Sequence, residues 1–183
     1  MMWKNLGTAD KLIEIVPYNS EWPELFELEA RRIKTACEGI VKIVEHIGST
    51  AIPGMPAKPI LDLMPGLDSY QDGLKTIEPI KQLGYGYFGE YGIPGRFYFK
   101  LSIEQRTVVH VHMFEIGTGN WHRHLIFRDQ LRADPAIAAQ YAELKKELAV
   151  RFRKDREAYS NGKSEFINSV VQNALLNIQD KNA

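Results

Sequence analysis

The spacing of apolar residues predicts both helices and strands. From Trp22 to Cys37, apolar residues recur every three or four positions, which predicts an amphipathic helix that Gly39 ends. Residues 96–102 alternate instead, with Phe97 and the apolar residues two and four positions later on one face and polar or amphipathic residues on the other. That alternation predicts a strand with one face on the core.

The same patterns predict the remaining elements. Strands are predicted at 41–47, 60–64 and 107–115, a short edge strand or extended arm at 12–16, and helices at 69–83, at 121–132, from 135 onward and at 164–178. Strands and helices are therefore mixed up to about residue 116, and helices follow alone. This order predicts an α+β fold in which a helical C-terminal region packs on a sheet.

The composition limits the partners and the location. With 183 residues, of which 44% are hydrophobic, the chain suits one domain with a sizeable core. Lys and Arg number 23, as do Asp and Glu, and this balance argues against a general affinity for nucleic acid or a membrane surface. Three features predict a cytoplasmic protein. The chain has a single cysteine, it has no apolar run near the roughly 20 residues of a membrane span, and no secretory signal is evident. These features leave the oligomeric state open.

The polar connector between the strands at 41–47 and 60–64 carries candidate phosphate chemistry. Ile47-Gly48-Ser49, with Asp62 about a dozen residues later on a strand, resembles the pattern of nucleotidyltransferases. In such a site loop amides and a hydroxyl hold triphosphate oxygens, and the carboxylate holds Mg²⁺ against them. The alternative is a serine-rich turn and an aspartate that accepts backbone hydrogen bonds. Met64 stands where such enzymes carry a second acid, and one carboxylate is a poor basis for two-metal chemistry.

Two histidines, His110 and His112, share one face of the strand at 107–115. If that strand neighbours the strand at 60–64, Asp62 and the two imidazoles form a nitrogen and oxygen site that suits Zn, Mn, Fe or Ni better than Mg. We therefore predict that these three residues are catalytic and hold a divalent metal of unknown identity. Two alternatives stay open: histidines on a half-exposed strand, or catalytic bases that work without metal.

Polar and cationic residues around the connector are predicted to contact phosphate or substrate. The set is Gly48, Ser49, Thr50, Lys58, Arg96 and Arg128. Lys58 lies at the entry of the strand that carries Asp62, too far along the strand for a direct ion pair. For Arg96 the alternative is a solvated surface charge. For Arg128 it is an ion pair with Asp129 or with glutamates of the next helix.

Several short motifs together resemble those of the GrpB family. They are Val16-Pro17-Tyr18-Asn19, Glu45-His-Ile-Gly-Ser-Thr50, Ala57-Lys-Pro-Ile-Leu-Asp62, His110-x-His112 and Phe127-Arg-Asp-x-Leu-Arg132. The resemblance, from about residue 13 to 178, implies a nucleotidyltransferase-like α+β fold with a mixed sheet, in one domain at 13–180 behind a lead-in at 1–12. The activity of the family is largely unassigned. Some members are fused behind dephospho-coenzyme A kinase, which implies a link to coenzyme A or a nucleotide.

Three functional hypotheses follow. The first is a nucleotidyltransferase-like enzyme that acts on a nucleotide or a phosphorylated small molecule and transfers a nucleotidyl group. The second is a catalytically degenerate fold retained as a nucleotide- or coenzyme A-binding module, and the third is a domain that stabilises a partner. Metal and nucleotide titrations separate them, because only the first needs both a divalent ion and Asp62.

Overall fold

The computed structural model of the chain describes residues 3, 6–9 and 12–181. Its strands are β1 (Thr8–Ala9), β2 (Ile43–Ile47), β3 (Leu61–Leu67), β4 (Gly86–Tyr87), β5 (Phe97–Ile103) and β6 (Arg106–Glu115). Its helices are α1 (Trp22–Ala36), α2 (Tyr70–Gln82), α3 (Gly119–Ala133), α4 (Pro135–Arg151), α5 (Arg156–Asn161) and α6 (Ser164–Lys181). A 3₁₀ turn at Ser49–Ala51 follows β2. The predicted α+β class is confirmed.

The described strands form one mixed sheet in the order β2-β3-β6-β5-β4, and β1 pairs with β6. β3 and β6 run parallel, whereas the other neighbouring pairs run antiparallel. The parallel register sets Asp62 opposite His110, and the antiparallel register of β5 sets Tyr98 opposite His112. Residues far apart in the sequence therefore share one region of the sheet.

The two faces of the sheet pack against different helices. Leu61 and Leu63 of β3 lie in the main core with apolar residues of α1 and α2. Met64 points the other way, since successive strand residues face opposite sides, and it packs with Phe114 of β6 and Trp121 of α3. α4 and α6 join α3 in a further apolar cluster. The predicted packing of the helical region on the sheet is thus seen in α3.

Both β3 and α5 differ from the prediction. β3 continues past residue 64 to Leu67, because Pro65 and Gly66 still pair with β2. A Cβ atom at Gly66 would collide with Ile116 and with Trp121 of α3, so glycine permits the close packing of both. The helix α5, which buries Tyr159, was not predicted. It spans six residues, and a helix of this length is too short to show an apolar period in the sequence.

The N-terminal segment packs on the sheet in part. Within the predicted lead-in, Leu6 is buried and Thr8 pairs with Thr107 of β6. The segment at 12–16 contributes an isolated bridge from Val16 to Ala57, which fits the predicted extended arm. The domain boundary at residue 13 stays a prediction. Among the described helices, none combines the length and hydrophobicity that crossing a membrane requires.

Candidate functional site

A cavity of about 470 Å³ lies on the sheet face that carries Asp62, between the connector after β2 and the helical region. β3, β5 and β6 supply one wall, and α3, α4 and α5 with the start of α6 supply the other. Its polar and charged lining is Ser49, Thr50, Lys58, Asp62, Arg96, His110, His112, Asn120, Arg123, His124, Lys145, Ser160 and Lys163. Tyrosines and a few apolar residues fill the gaps. Most of the predicted site residues therefore lie in one cavity.

The loop after β2 passes directly over Asp62. Ile47 is the register partner of Asp62, and Gly48 follows with a φ of 70°. A Cβ atom at Gly48 would collide with the carboxylate of Asp62, so glycine is required both for the backbone angle and for the close approach. The next residue, Ser49, reaches the cavity at the start of the 3₁₀ turn.

Asp62, His110 and His112 converge, as their positions in the sequence predict. Asp62 Oδ1 lies 3.1 Å from His110 Nδ1 and 3.4 Å from His112 Nε2. One potential ligand atom from each residue lies within 4.8 Å of the other two. Their spacing is compatible with a metal centre or with a hydrogen-bonded group. Their catalytic and metal-binding roles stay predictions.

The charges of this group follow from burial and pairing. Burial lowers the pKa of His110 to about 4, against the opposing effect of Asp62, so the imidazole is neutral at pH 7. Burial alone would raise the pKa of Asp62. Hydrogen bonds from both histidines outweigh it and hold that pKa well below its usual value. At neutral pH the group therefore contains the charged carboxylate of Asp62 and the neutral imidazole of His110.

Arg96 supports the group from β5's N-terminal edge. Its Nη1 lies 3.1 Å from His112 Nδ1, while Nε and Nη2 donate to the carbonyls of Glu90 and Tyr91 at 3.1 and 2.6 Å. The guanidinium also stacks over Tyr98, 4.5 Å from the ring centroid. It is 5% exposed. Arg96 therefore lines the cavity as predicted, but its N–H groups are largely engaged with the protein.

Lysines from the helical region form the opposite wall. Lys145 Nζ donates to Ser49 Oγ at 2.9 Å and to the Pro56 carbonyl at 2.5 Å. Lys163 and Lys58 both lie over the ring of Tyr159, at 4.5 and 5.5 Å from its centroid. Lys58, a predicted site residue, thus lines the cavity together with Lys145 and Lys163, which were not predicted as site residues.

These lysines share a desolvated, positively charged environment. Burial and then the nearby lysines lower the pKa of Lys145 to about 7. Burial and Lys58 lower the pKa of Lys163 to about 8, although Asp62 opposes the shift. Lys58 itself has a lowered pKa because of its burial. An anion bound between them would reverse these shifts.

Lys145 was detectable in the sequence, whereas Lys163 was not. Tyr141, Lys145 and Leu148 share a stripe at helical spacing, and a lysine between two apolar stripe positions signals a buried cation with a partner. Lys163 stands between two helices, where no periodicity applies. Its position depends on how α5 and α6 pack.

Two predicted phosphate contacts are engaged elsewhere. Arg128 is not part of the described cavity lining; its Nη1 donates to Glu45 at 2.5 Å and its Nε to Asp129 at 2.7 Å. The ion-pair alternative fits this geometry, with Glu45 as an additional partner. Thr50 lies at the cavity wall, but it is 1% exposed and its hydroxyl lies 3.0 Å from His46 Nε2. We leave both out of the site proposed below.

The order of the strands and the position of the Gly-Ser loop define a nucleotidyltransferase-like fold. The Cid1 poly(U) polymerase, solved with Mg 3'-dATP bound, shares this fold with a TM-score of 0.50 and 15% sequence identity, over 75% of this chain and 44% of that chain. At this identity the likeness concerns the fold alone.

The family follows from closer relatives. The profile described as "GrpB protein" matches residues 12–173, and the chain belongs to this family. The crystal structure of the conserved protein GrpB from Enterococcus faecalis is similar with a TM-score of 0.82 and 34% identity, over 91% of this chain and 99% of that chain. The UPF0157 protein YqkA of Bacillus subtilis is 43% identical over 88% of this chain. This chain spans 47% of the length of YqkA.

Proposed function

We propose that this chain binds a phosphorylated small molecule in the cavity over Asp62, and that nucleotides and coenzyme A are the first candidates. The charge of the cavity carries the proposal. Among the described lining residues, five are cationic and one is a carboxylate, although the chain as a whole has 23 residues of each sign. A phosphate monoester with nearly two negative charges would neutralise about half of that excess.

The three lysines and the loop are the proposed phosphate contacts. Burial lowers the pKa of Lys145 and of Lys163, and the charge of Lys58 lowers both further, so an anion between these lysines removes an unfavourable repulsion. Ser49 Oγ, held by Lys145, supplies a hydroxyl at the same place. Gly48 brings the backbone close. Arg96 adds positive charge while it holds the neighbouring loop.

An exposed aromatic ring beside the cavity favours a ligand with a planar group. Tyr91 is 58% exposed and stacks on Tyr98, with ring centroids 4.9 Å apart. Its backbone φ of 44° is unusual for a residue with a side chain, and such strain is retained most often at functional sites. A nucleobase that stacks on Tyr91 would lie at the same cavity as the lysines.

Nucleotidyl transfer is a further step that we do not include in the proposal. Mg²⁺ prefers oxygen ligands in octahedral geometry, and the ligand-capable group here offers one carboxylate and two imidazoles. This set does not fit the magnesium chemistry that the fold implies, so we derive no transfer step through that ion. The cytoplasmic location and the absence of a nucleic-acid partner stay predictions.

Isothermal titration calorimetry with ATP, coenzyme A and inorganic phosphate, each with and without Mg²⁺, tests the proposal. We expect saturable binding of ATP or coenzyme A that needs no Mg²⁺ and weakens at least tenfold in Lys163→Met. The control is Lys146→Met, because Lys146 is exposed and pairs with Glu143 on the outside of α4. Absence of binding to all three probes would contradict the proposal, as would equal losses in Lys163→Met and Lys146→Met.

A further inference from the structure

The contacts around Asp62 distinguish a metal centre from a hydrogen-bonded group. A metal between the three residues would take the lone pairs of the ring nitrogens that face Asp62, His110 Nδ1 and His112 Nε2. The remote nitrogen of each neutral ring would then carry the proton and donate it to an acceptor. In a hydrogen-bonded group the facing nitrogens carry the protons, and the remote ones are lone pairs. The surroundings of the remote nitrogens therefore decide between the two.

The remote nitrogen of His112 faces a donor. His112 Nδ1 lies 3.1 Å from Nη1 of Arg96, and a guanidinium has N–H groups but no lone pair to accept with. Nδ1 must therefore be the acceptor in this pair. The proton of the neutral ring is then on Nε2, which points at Asp62 Oδ1. A metal on Nε2 would turn Nδ1 into an N–H group opposite the guanidinium N–H.

The remote nitrogen of His110 meets no acceptor within the part of the chain that the structure describes. His110 Nε2 is buried and has no hydrogen-bond partner among the described residues. A metal on Nδ1 would leave a buried N–H group unpaired at Nε2, whereas metal-bound histidines almost always donate this proton. With the proton on Nδ1, Asp62 Oδ1 accepts it at 3.1 Å and Nε2 is a lone pair.

We infer that Asp62, His110 and His112 form a hydrogen-bonded group with a proton on each ring nitrogen that faces Asp62, and that Arg96 imposes this arrangement and excludes a divalent metal. Arg96 is a positioning residue here, because it acts through His112. In this arrangement Oδ1 of Asp62 already accepts hydrogen bonds from both histidines. The inference is independent of the proposed phosphate ligand.

The tautomers are measurable in the intact protein. Long-range proton–nitrogen NMR correlation on the ¹⁵N-labelled wild type at pH 7.5 distinguishes Nδ1–H from Nε2–H for each histidine. We expect Nε2–H for His112 and Nδ1–H for His110. A proton on Nδ1 of His112, in the neutral or the charged ring, would overturn the inference.

Metal titration tests the role of Arg96 by a gain of binding. Zn²⁺ and Mn²⁺ are titrated into the wild type, Asp62→Asn, Arg96→Met and Arg123→Met. We expect the wild type and Asp62→Asn to bind equally weakly. Arg96→Met should bind Zn²⁺ roughly tenfold more tightly or better, because without the guanidinium Nδ1 of His112 can carry the proton while Nε2 binds the ion, and contacts to metal-bound histidines change affinity by about this factor. Arg123→Met, which removes a charge from the same cavity without this contact, should match the wild type.

Two results of that titration would overturn the inference. One is a wild type that binds either ion at least tenfold more tightly than Asp62→Asn. The other is a folded Arg96→Met that gains no affinity, since Arg96 would then not be what excludes the metal. Should Arg96→Met fail to fold, the wild-type tautomers and the comparison with Asp62→Asn still decide the matter.

Discussion

The two faces of the sheet are built from alternate residues of the same strands but differ in how their polar groups are buried and paired. On the α1 and α2 face, Leu61 and Leu63 are fully buried in apolar surroundings, and the buried carboxylate of Glu29 is paired with Tyr85 and Arg32. On the opposite face Met64 and Phe114 pack against Trp121 of α3, whereas the neighbouring Asp62, His110 and His112 lie at an open cavity. The first face stabilises the fold. The cavity on the second face buries lysines that repel one another and a carboxylate that two histidines share. A cavity lined by buried cations is the arrangement that the proposed anion site requires.

The largest effect is expected from a truncation on the apolar face. Leu63→Ala removes a side chain with 0% exposure and should lower the free energy of unfolding by about 2–5 kcal/mol, because transfer and cavity costs add. Urea denaturation followed by circular dichroism measures it. The contrast is Ser49→Ala on the polar face, which removes a hydroxyl and should cost about 1 kcal/mol. Equal losses in the two variants would mean that the faces do not differ as described.

A large pH effect is expected from His46, which stacks on Phe26 of α1 with ring centroids 4.4 Å apart. Burial lowers its pKa from 6.5 to about 4. The unfolded chain therefore takes up a proton below pH 6.5 that the folded chain refuses, and stability falls with pH from 6.5 towards 4. At about 1.4 kcal/mol per pKa unit, His46 alone accounts for roughly 3 kcal/mol at pH 4.

Urea denaturation at intervals from pH 7 to pH 4 checks this for the wild type and His46→Gln. The variant should lose a smaller share of its pH 7 stability on acidification, although His110 and His124, whose pKa values are also lowered, keep some sensitivity. His122→Gln is the control, since His122 is exposed on α3. A wild-type pH profile in His46→Gln would show that the ring is not held neutral by burial.

A matched pair of glycines tests the contact between the loop and Asp62. Gly48 and Gly54 have φ values of 70° and 75°, so alanine is strained at both, by roughly 1–2 kcal/mol. At Gly54 a Cβ meets nothing within 4 Å, whereas at Gly48 it meets the Asp62 carboxylate. Gly48→Ala should therefore destabilise the fold more than Gly54→Ala in urea denaturation, and Gly48→Ala should also disturb His110 signals. Equal destabilisation of the two variants would argue against the close approach.

The contrast also explains which features the sequence could reveal. Local alternation identifies the polar face: Asp62, His110 and His112 each stand between apolar strand neighbours, so their direction is set by the strand period. Their convergence needs the parallel pairing of β3 with β6, and the family resemblance supplied that fold. The partners of the cations depend on tertiary packing. Nothing local shows that Arg128 meets Glu45 of β2, or that Lys163 reaches the cavity after the short helix α5.

The smallest effect is expected from the titration of the cavity lysines, which changes ATP affinity with pH. It tests directly whether the polar face of the sheet binds an anion. The pKa values of Lys145 and Lys163 are lowered to about 7 and about 8 by burial and by the neighbouring lysines, with Asp62 as the facing carboxylate at Lys163. A bound phosphate should raise both values, so that the chain takes up part of a proton on binding at pH 8. ATP affinity should then weaken roughly tenfold between pH 7 and pH 9, because the lysines lose their charge in the free protein.

Calorimetry at pH 8 in two buffers of different ionisation enthalpy gives the number of protons taken up. Lys163→Met should reduce it, whereas Lys81→Met, which removes an exposed lysine paired with Glu78 on α2, should leave it unchanged. Binding without proton uptake would mean that the ligand lies away from these lysines. In that case Lys145 would serve to hold α4 against the connector, through its hydrogen bonds to Ser49 and to the Pro56 carbonyl.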